Sequence, residues 1–126
     1  MKKLDLSQCR LRMRHLMQDE EKLIQIFIDT KVLLKGSVYK MMTKCGKKGC
    51  RCQREGRLHS AWRISRSHEG RSQSKCISMR EALNYRKLTY NYRRFRQARA
   101  KLVRLHHQKI ELVNMLQEAK KKEIFK

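Results

Sequence analysis

The chain has 126 residues, with 33 Lys and Arg against 11 Asp and Glu, giving a formal net charge of +22. Such a charge repels itself in a compact state and is most simply tolerated beside a polyanion, of which nucleic acid is the commonest. No run approaches the apolar length of a transmembrane helix, and neither end carries an apolar signal core or a lipidation motif. A cytoplasmic protein with no membrane partner and no small-molecule substrate is therefore expected.

There is no proline, so nothing forbids long helices. The first predicted helix runs from about Leu6 to Leu34. Leu16, Leu23, Phe27 and Leu34, with Met13, Ile24 and Ile28 alongside, recur close to every 3.6 residues. Asp5 or Ser7 suits its cap, and Gly36 its stop. The acidic run Asp19-Glu20-Glu21 is expected to face solvent.

The period then changes. Ser37 to Thr43 reads as a strand, and Ser60 to Ser67 alternates with Trp62 and Ile64 on one face. Glu69-Gly70 marks a turn, and Ser72 to Ile77 returns as a third strand. A sheet this small has too few apolar residues to stand alone, so it needs a metal clip or packing against the helices.

Ser78-Met-Arg-Glu81 is a capping box that opens the second helix. Leu88, Phe95, Ala98, Leu102, Leu105, Leu112, Leu116 and Ala119 continue it to about Lys121. Asn91 and Lys109 interrupt this seam, where a single polar residue can specify register or oligomer state.

The expected fold class is α+β, mostly α. It is an antiparallel long-helix hairpin carrying a small three-stranded, zinc-stabilised antiparallel β insert. Residues 1–35 would be the N-terminal helix, 36–78 the zinc-binding module and 79–126 the long basic helix, all in one domain.

The most chemical feature is the spacing C-x4-C-x-C-x6-H formed by Cys45, Cys50, Cys52 and His59. Zn2+ takes tetrahedral sulfur and nitrogen ligands, and glycines at 46 and 49 let such a loop turn tightly. In a reducing compartment clustered cysteines argue for metal over disulfides. Four protein ligands leave no open position, so the ion would be structural. Cys76 competes with His59 as the fourth ligand. Cys9 reads as a small apolar helix residue, and His68, His106 and His107 as solvated.

Basic residues surround this loop. Between Thr30 and His68 there are eleven Lys and Arg and one acid, Glu55; between Ala82 and Ile110 there are nine and none. Lys44, Lys47, Lys48, Arg51, Arg54, Arg57, Arg63 and Arg66 from the module are expected to contact phosphates. Arg86, Lys87, Arg93, Arg94, Arg96 and Arg99 from the helix are expected to do the same, with Tyr85, Tyr90 and Tyr92 interleaved. Tyr92 and Phe95 also suit a core. An arginine-rich helix and a small knob favour RNA slightly over DNA.

An enzyme is not expected. The acids are scattered, no phosphate-cradling glycine loop appears, and thiols clustered in this way fit ligation better than nucleophilic catalysis.

The run Gly36-Ser37-Val38-Tyr39, then Cys45-Gly46-Lys47 with Cys50-Arg51-Cys52, then Leu58-His59, resembles a small uncharacterised prokaryotic domain family. That family has a GS-x-Y strand and a CGK-x-x-C-x-C…H loop. Tyr90-Asn91-Tyr92-Arg93-Arg94 is similar to its NYRR stretch in a long C-terminal helix. Ser60-Ala61-Trp62 stands where the family usually has glycine, proline and an aromatic. The resemblance implies the ligand positions Cys45, Cys50, Cys52 and His59. It places an aromatic where this chain has Cys76, and a setting near transposases. It brings no activity.

The function expected is that of a non-enzymatic, zinc-stabilised nucleic-acid-binding accessory protein. Its setting would be a ribonucleoprotein or mobile-element complex. The alternative is a helical interaction adaptor or coiled-coil homodimer that docks on a nucleic-acid enzyme.

Overall fold

The computed structural model describes residues 4–43, 49–50, 56 and 58–125. Two helices and three strands follow in chain order: α1 (Leu6–Ile28), β1 (Ser37–Thr43), β2 (His59–His68), β3 (Arg71–Ile77) and α2 (Met79–Lys120). They divide into two compact units. A helical unit takes residues 1–30 and 95–126, and a sheet unit takes residues 31–94.

In the helical unit, α1 starts at a reciprocal cap. The Gln8 amide donates to the Asp5 carboxylate at 2.8 Å, and the Asp5 amide donates to the Gln8 side chain at 3.0 Å. One face of α1 buries Cys9 and Leu16 against Leu105 and Leu112 of α2, with Met13, Leu23 and Leu116 closing around them. The helices run antiparallel, since Phe27 meets Phe95 edge-on at 5.1 Å and Glu20 meets Lys109 at 2.8 Å. Glu20 thus does not face solvent with its acidic neighbours. It lies against α2, where Lys109 and, at 3.7 Å, His106 attract it.

The sheet unit holds the order β1-β2-β3, antiparallel throughout. His68 pairs with Arg71, leaving Glu69 and Gly70 as a two-residue loop with φ of 52° and 76°. Two positive φ values are the signature of a type I′ turn, which matches strand twist. At the other end of β3 the Ser78 amide donates to Glu81 and the Glu81 amide to the Ser78 hydroxyl, both at 3.1 Å, so α2 begins as its capping box predicts. These bonds to Ser78 hold the Glu81 carboxyl below its ordinary range. Ile77, Ala82 and Thr89 are buried here, and the Thr89 hydroxyl donates to the Arg86 carbonyl at 3.1 Å.

α1 stops at Ile28, six residues before the expected Leu34. Asp29 caps it in an extended conformation, and an acid at the negative end of a helix is unfavourable. Residues beyond Asp29 find other partners. The Leu34 amide donates to the Leu88 carbonyl, and the Asn91 side chain donates to the Val32 carbonyl, both at 3.2 Å. The result is a strap, neither helix nor strand, that bonds to α2. The two polar residues in the α2 seam are therefore satisfied within the chain, Asn91 by the strap and Lys109 by Glu20. Gly36 ends the strap at φ +156°, and a Cβ there would stand 3.0 Å from the Ser65 carbonyl oxygen. Only glycine lets the strap approach β2 so closely.

Two measurements check this packing. Gly36→Ala is expected to cost about 1–3 kcal/mol in urea unfolding. Lys109, through its hydrogen bond, holds the Glu20 carboxyl below its ordinary value of 4.5. Its ionised form therefore stabilises the fold above that value, and the contribution vanishes as pH falls through the lowered one. Glu20→Gln is expected to cost about 0.5 kcal/mol at pH 7, on the scale of a solvent-screened pair, and nothing at pH 2.

Candidate metal centre and nucleic-acid interface

The β1–β2 register places Thr43 opposite His59, so the Cys-rich segment 44–58 leaves and re-enters the sheet at neighbouring positions. Cys50 Sγ lies 3.0 Å from His59 Nε2. Two of the four expected ligands thus meet, one at the head of β2 and one from the segment itself. Two tetrahedral zinc ligands, with bonds of about 2.3 Å to sulfur and 2.0 Å to nitrogen, stand about 3.5 Å apart. The observed pair would have to open by about half an ångström to admit an ion.

Cys45 and Cys52 lie outside the described residues. Among the described residues no group of three or more His, Cys, Asp or Glu gathers into a metal site. Cys76 sits elsewhere, on β3 opposite Arg63, which donates to its sulfur at 2.8 Å. His59 precedes Arg63 by four residues on β2, about 13 Å at the rise of a strand. Cys76 therefore does not join the Cys50–His59 pair. Cys9 is wholly buried in the helical core.

Of the expected phosphate contacts, Lys44, Lys47, Lys48, Arg51, Arg54 and Arg57 lie outside the described residues. Arg63 is half-buried and committed to Cys76 and, at 3.0 Å, to Ser74. It braces β2 to β3 more than it faces outward. Arg66 is exposed, and its Nε donates to Gln73 at 2.9 Å, which leaves both terminal nitrogens without a partner among the described residues.

On α2, Arg86, Lys87, Arg93, Arg94, Arg96 and Arg99 are all exposed. At about 100° per residue, Arg86, Arg93, Arg94 and Lys87 share one side of the helix, while Arg96 and Arg99 turn away from it. Arg86 stacks over Trp62 at 4.8 Å, which fixes its guanidinium. Beside it a shallow groove of about 420 Å³ is lined by Lys31, Arg86, Lys87, Tyr90 and Asn91. Tyr90 is 58% exposed and offers a free ring face, whereas Tyr92 and Phe95 are half-buried. Cations that position phosphates beside an aromatic that can stack a base are what a single strand needs.

Lys31, Lys35 and Lys75 were not among the residues expected from sequence. The first two were hidden inside a helix drawn too long. The unit containing these cations, residues 31–94, holds eighteen Lys and Arg against three acids.

The chain belongs to the family described as Domain of unknown function (DUF6788), whose model matches residues 10–86. No curated protein and no solved structure matches the chain. No helix among the described residues is long and apolar enough to cross a membrane.

Proposed function

We propose that this member of the DUF6788 family is a non-enzymatic nucleic-acid-binding accessory protein whose sheet unit is held by a structural Zn2+. The meeting of Cys50 and His59 at 3.0 Å, within the most basic part of the chain, carries the reading. Cys45 follows Thr43 by two residues and Cys52 follows Cys50 by two. A two-residue span reaches at most about 7 Å, the scale of one tetrahedral site. Four protein ligands would give the ion structure and no reaction.

The sheet unit supports this assignment from another side. Its described core is thin, with Ile77, Ala82 and Thr89 buried, so a metal clip at the open end of the β1–β2 ladder would add what packing lacks. The ordered Arg86 and the exposed Tyr90 favour a single-stranded or folded target, RNA ahead of DNA. A ribonucleoprotein or mobile-element complex is the proposed setting.

An adaptor reading draws on Val103, Ile110 and Val113, apolar residues exposed along α2. Replacing Arg86, Lys87, Arg93 and Arg94 by Gln separates the two. Loss of nucleic-acid binding with unchanged oligomeric state supports the first reading; retained binding favours the adaptor.

Untagged protein is expected to carry one zinc per chain by elemental analysis. Cys50→Ser should lower that stoichiometry, and a chelator should unfold the sheet unit while helical circular dichroism persists. Absence of stoichiometric metal overturns the zinc assignment. For nucleic acid, a 20-nucleotide RNA should bind with an affinity that falls linearly on a log–log plot against salt, by about 0.7 per phosphate contact. An affinity indifferent to salt would falsify phosphate recognition.

A further inference from the structure

Ile64 pairs with Lys75 and Arg66 with Gln73 across β2 and β3. Residues two apart on a strand share a face, so these four side chains stand together. Arg66 and Lys75 are then a diagonal pair, about 7–8 Å apart. The strap closes the third side, bringing Leu34 and Lys35 against Ile64 and Ser65 because Gly36 has no Cβ to hold it off. The groove so formed measures about 340 Å³.

Its chemistry is one-sided. Lys35, Arg66 and Lys75 line it, and no acid does. All three are exposed, and neither lysine hydrogen-bonds or ion-pairs with a described residue. Glu81 senses Lys75 electrostatically but is held by Ser78 and Tyr85. Like charges at this separation lie within a Debye length of one another, about 8 Å in physiological salt, so they repel. Gln73 accepts from the Arg66 Nε and so orders the guanidinium, leaving its terminal nitrogens without a partner among the described residues. An ordered fork beside two lysines matches a phosphate better than it matches water.

We propose that Lys35, Arg66 and Lys75 form a cradle for the phosphodiester backbone of bound nucleic acid. The inference rests on the nucleic-acid reading above and adds a site to it. The cradle has no aromatic side chain and reads no base edge, so it acts without sequence preference. Base contacts belong to Tyr90 and its neighbours. The strap serves both places, with Lys31 in one groove and Lys35 in the other.

The test compares the full chain with Lys35→Gln/Arg66→Gln/Lys75→Gln and with a charge-matched control, Lys120→Gln/Lys121→Gln/Lys122→Gln. Binding of a 20-nucleotide RNA of mixed sequence is measured from low to high salt, and amide dispersion in NMR confirms that each variant folds. The cradle variant should bind about tenfold more weakly and lose about two from its salt slope, the control much less. In the same proteins pyrophosphate is titrated. Wild type should show shifts at Lys35, Arg66 and Lys75 that the cradle variant lacks. If RNA binds wild type and cradle variant alike and pyrophosphate leaves these residues unmoved, the cradle is wrong and the wider function stands. If pyrophosphate finds them but RNA does not bind, the anion cradle stands and its assignment to nucleic acid falls. If neither binds, both readings fall.

Discussion

Thr43 and His59 face each other at the last step of the β1–β2 ladder. That pairing holds the residues flanking the Cys-rich segment side by side while the sheet lasts. It also sets the histidine at the end of the ladder, where the Cys50 sulfur reaches it. The pairing is itself exposed to fraying, because the strand end has little apolar cover: Met41 and Met42 are 43% and 53% exposed. The register that brings the donors together would thus be reinforced by whatever binds them. Sheet and proposed ion would then stabilise each other, which is the usual relation in small metal-bound modules.

The strap is the second constraint, and it acts through bonds that no pattern of apolar residues announces. The Leu34 amide and the Val32 carbonyl are satisfied by α2, so this stretch is held in place though it is neither helix nor strand. A shift of the strap by one residue would exchange Lys35 for an apolar neighbour in the groove above β2 and β3. Gly36 prevents that shift, because it alone tolerates both the positive φ and the Ser65 carbonyl.

What the sequence made legible follows from how local each signal is. The three strands, the Glu69-Gly70 turn and the Ser78–Glu81 cap were all readable, since each depends on residues within a few positions. The end of α1 was not. Periodicity carried on through Leu34, whereas Asp29 and bonds to a helix some sixty residues later decided the matter. The α2 seam was partly readable for a related reason. Ala98, Leu105 and Leu112 keep a seven-residue repeat in the helical unit, and Ala82 and Thr89 keep one in the sheet unit, but the two are out of phase by two residues. A single seam drawn through both catches the first set and misses Ala82 and Thr89. At the site, the meeting of Cys50 with His59 was legible from ligand spacing. The separation of Cys76 was open until the strand register fixed it.

Charge is divided unevenly, and the division is physical as well as numerical. The helical unit has fifteen Lys and Arg against eight acids, and Glu20 there is spent on Lys109 and His106. The sheet unit has eighteen against three. Of those three, Glu55 lies outside the described residues, Glu69 occupies the turn beside His68, and Glu81 is committed to the helix cap. Neither described acid lines either groove. Among the described residues, Glu69 and Glu81 therefore stand outside the groove where Lys35, Arg66 and Lys75 repel one another. The sheet unit is left with ordered guanidinium groups at Arg66 and Arg86, each fixed by a neutral neighbour, Gln73 and Trp62. Cations held in place by groups that do not neutralise them keep their full attraction for an anion, and a polymer of phosphates can meet several at once.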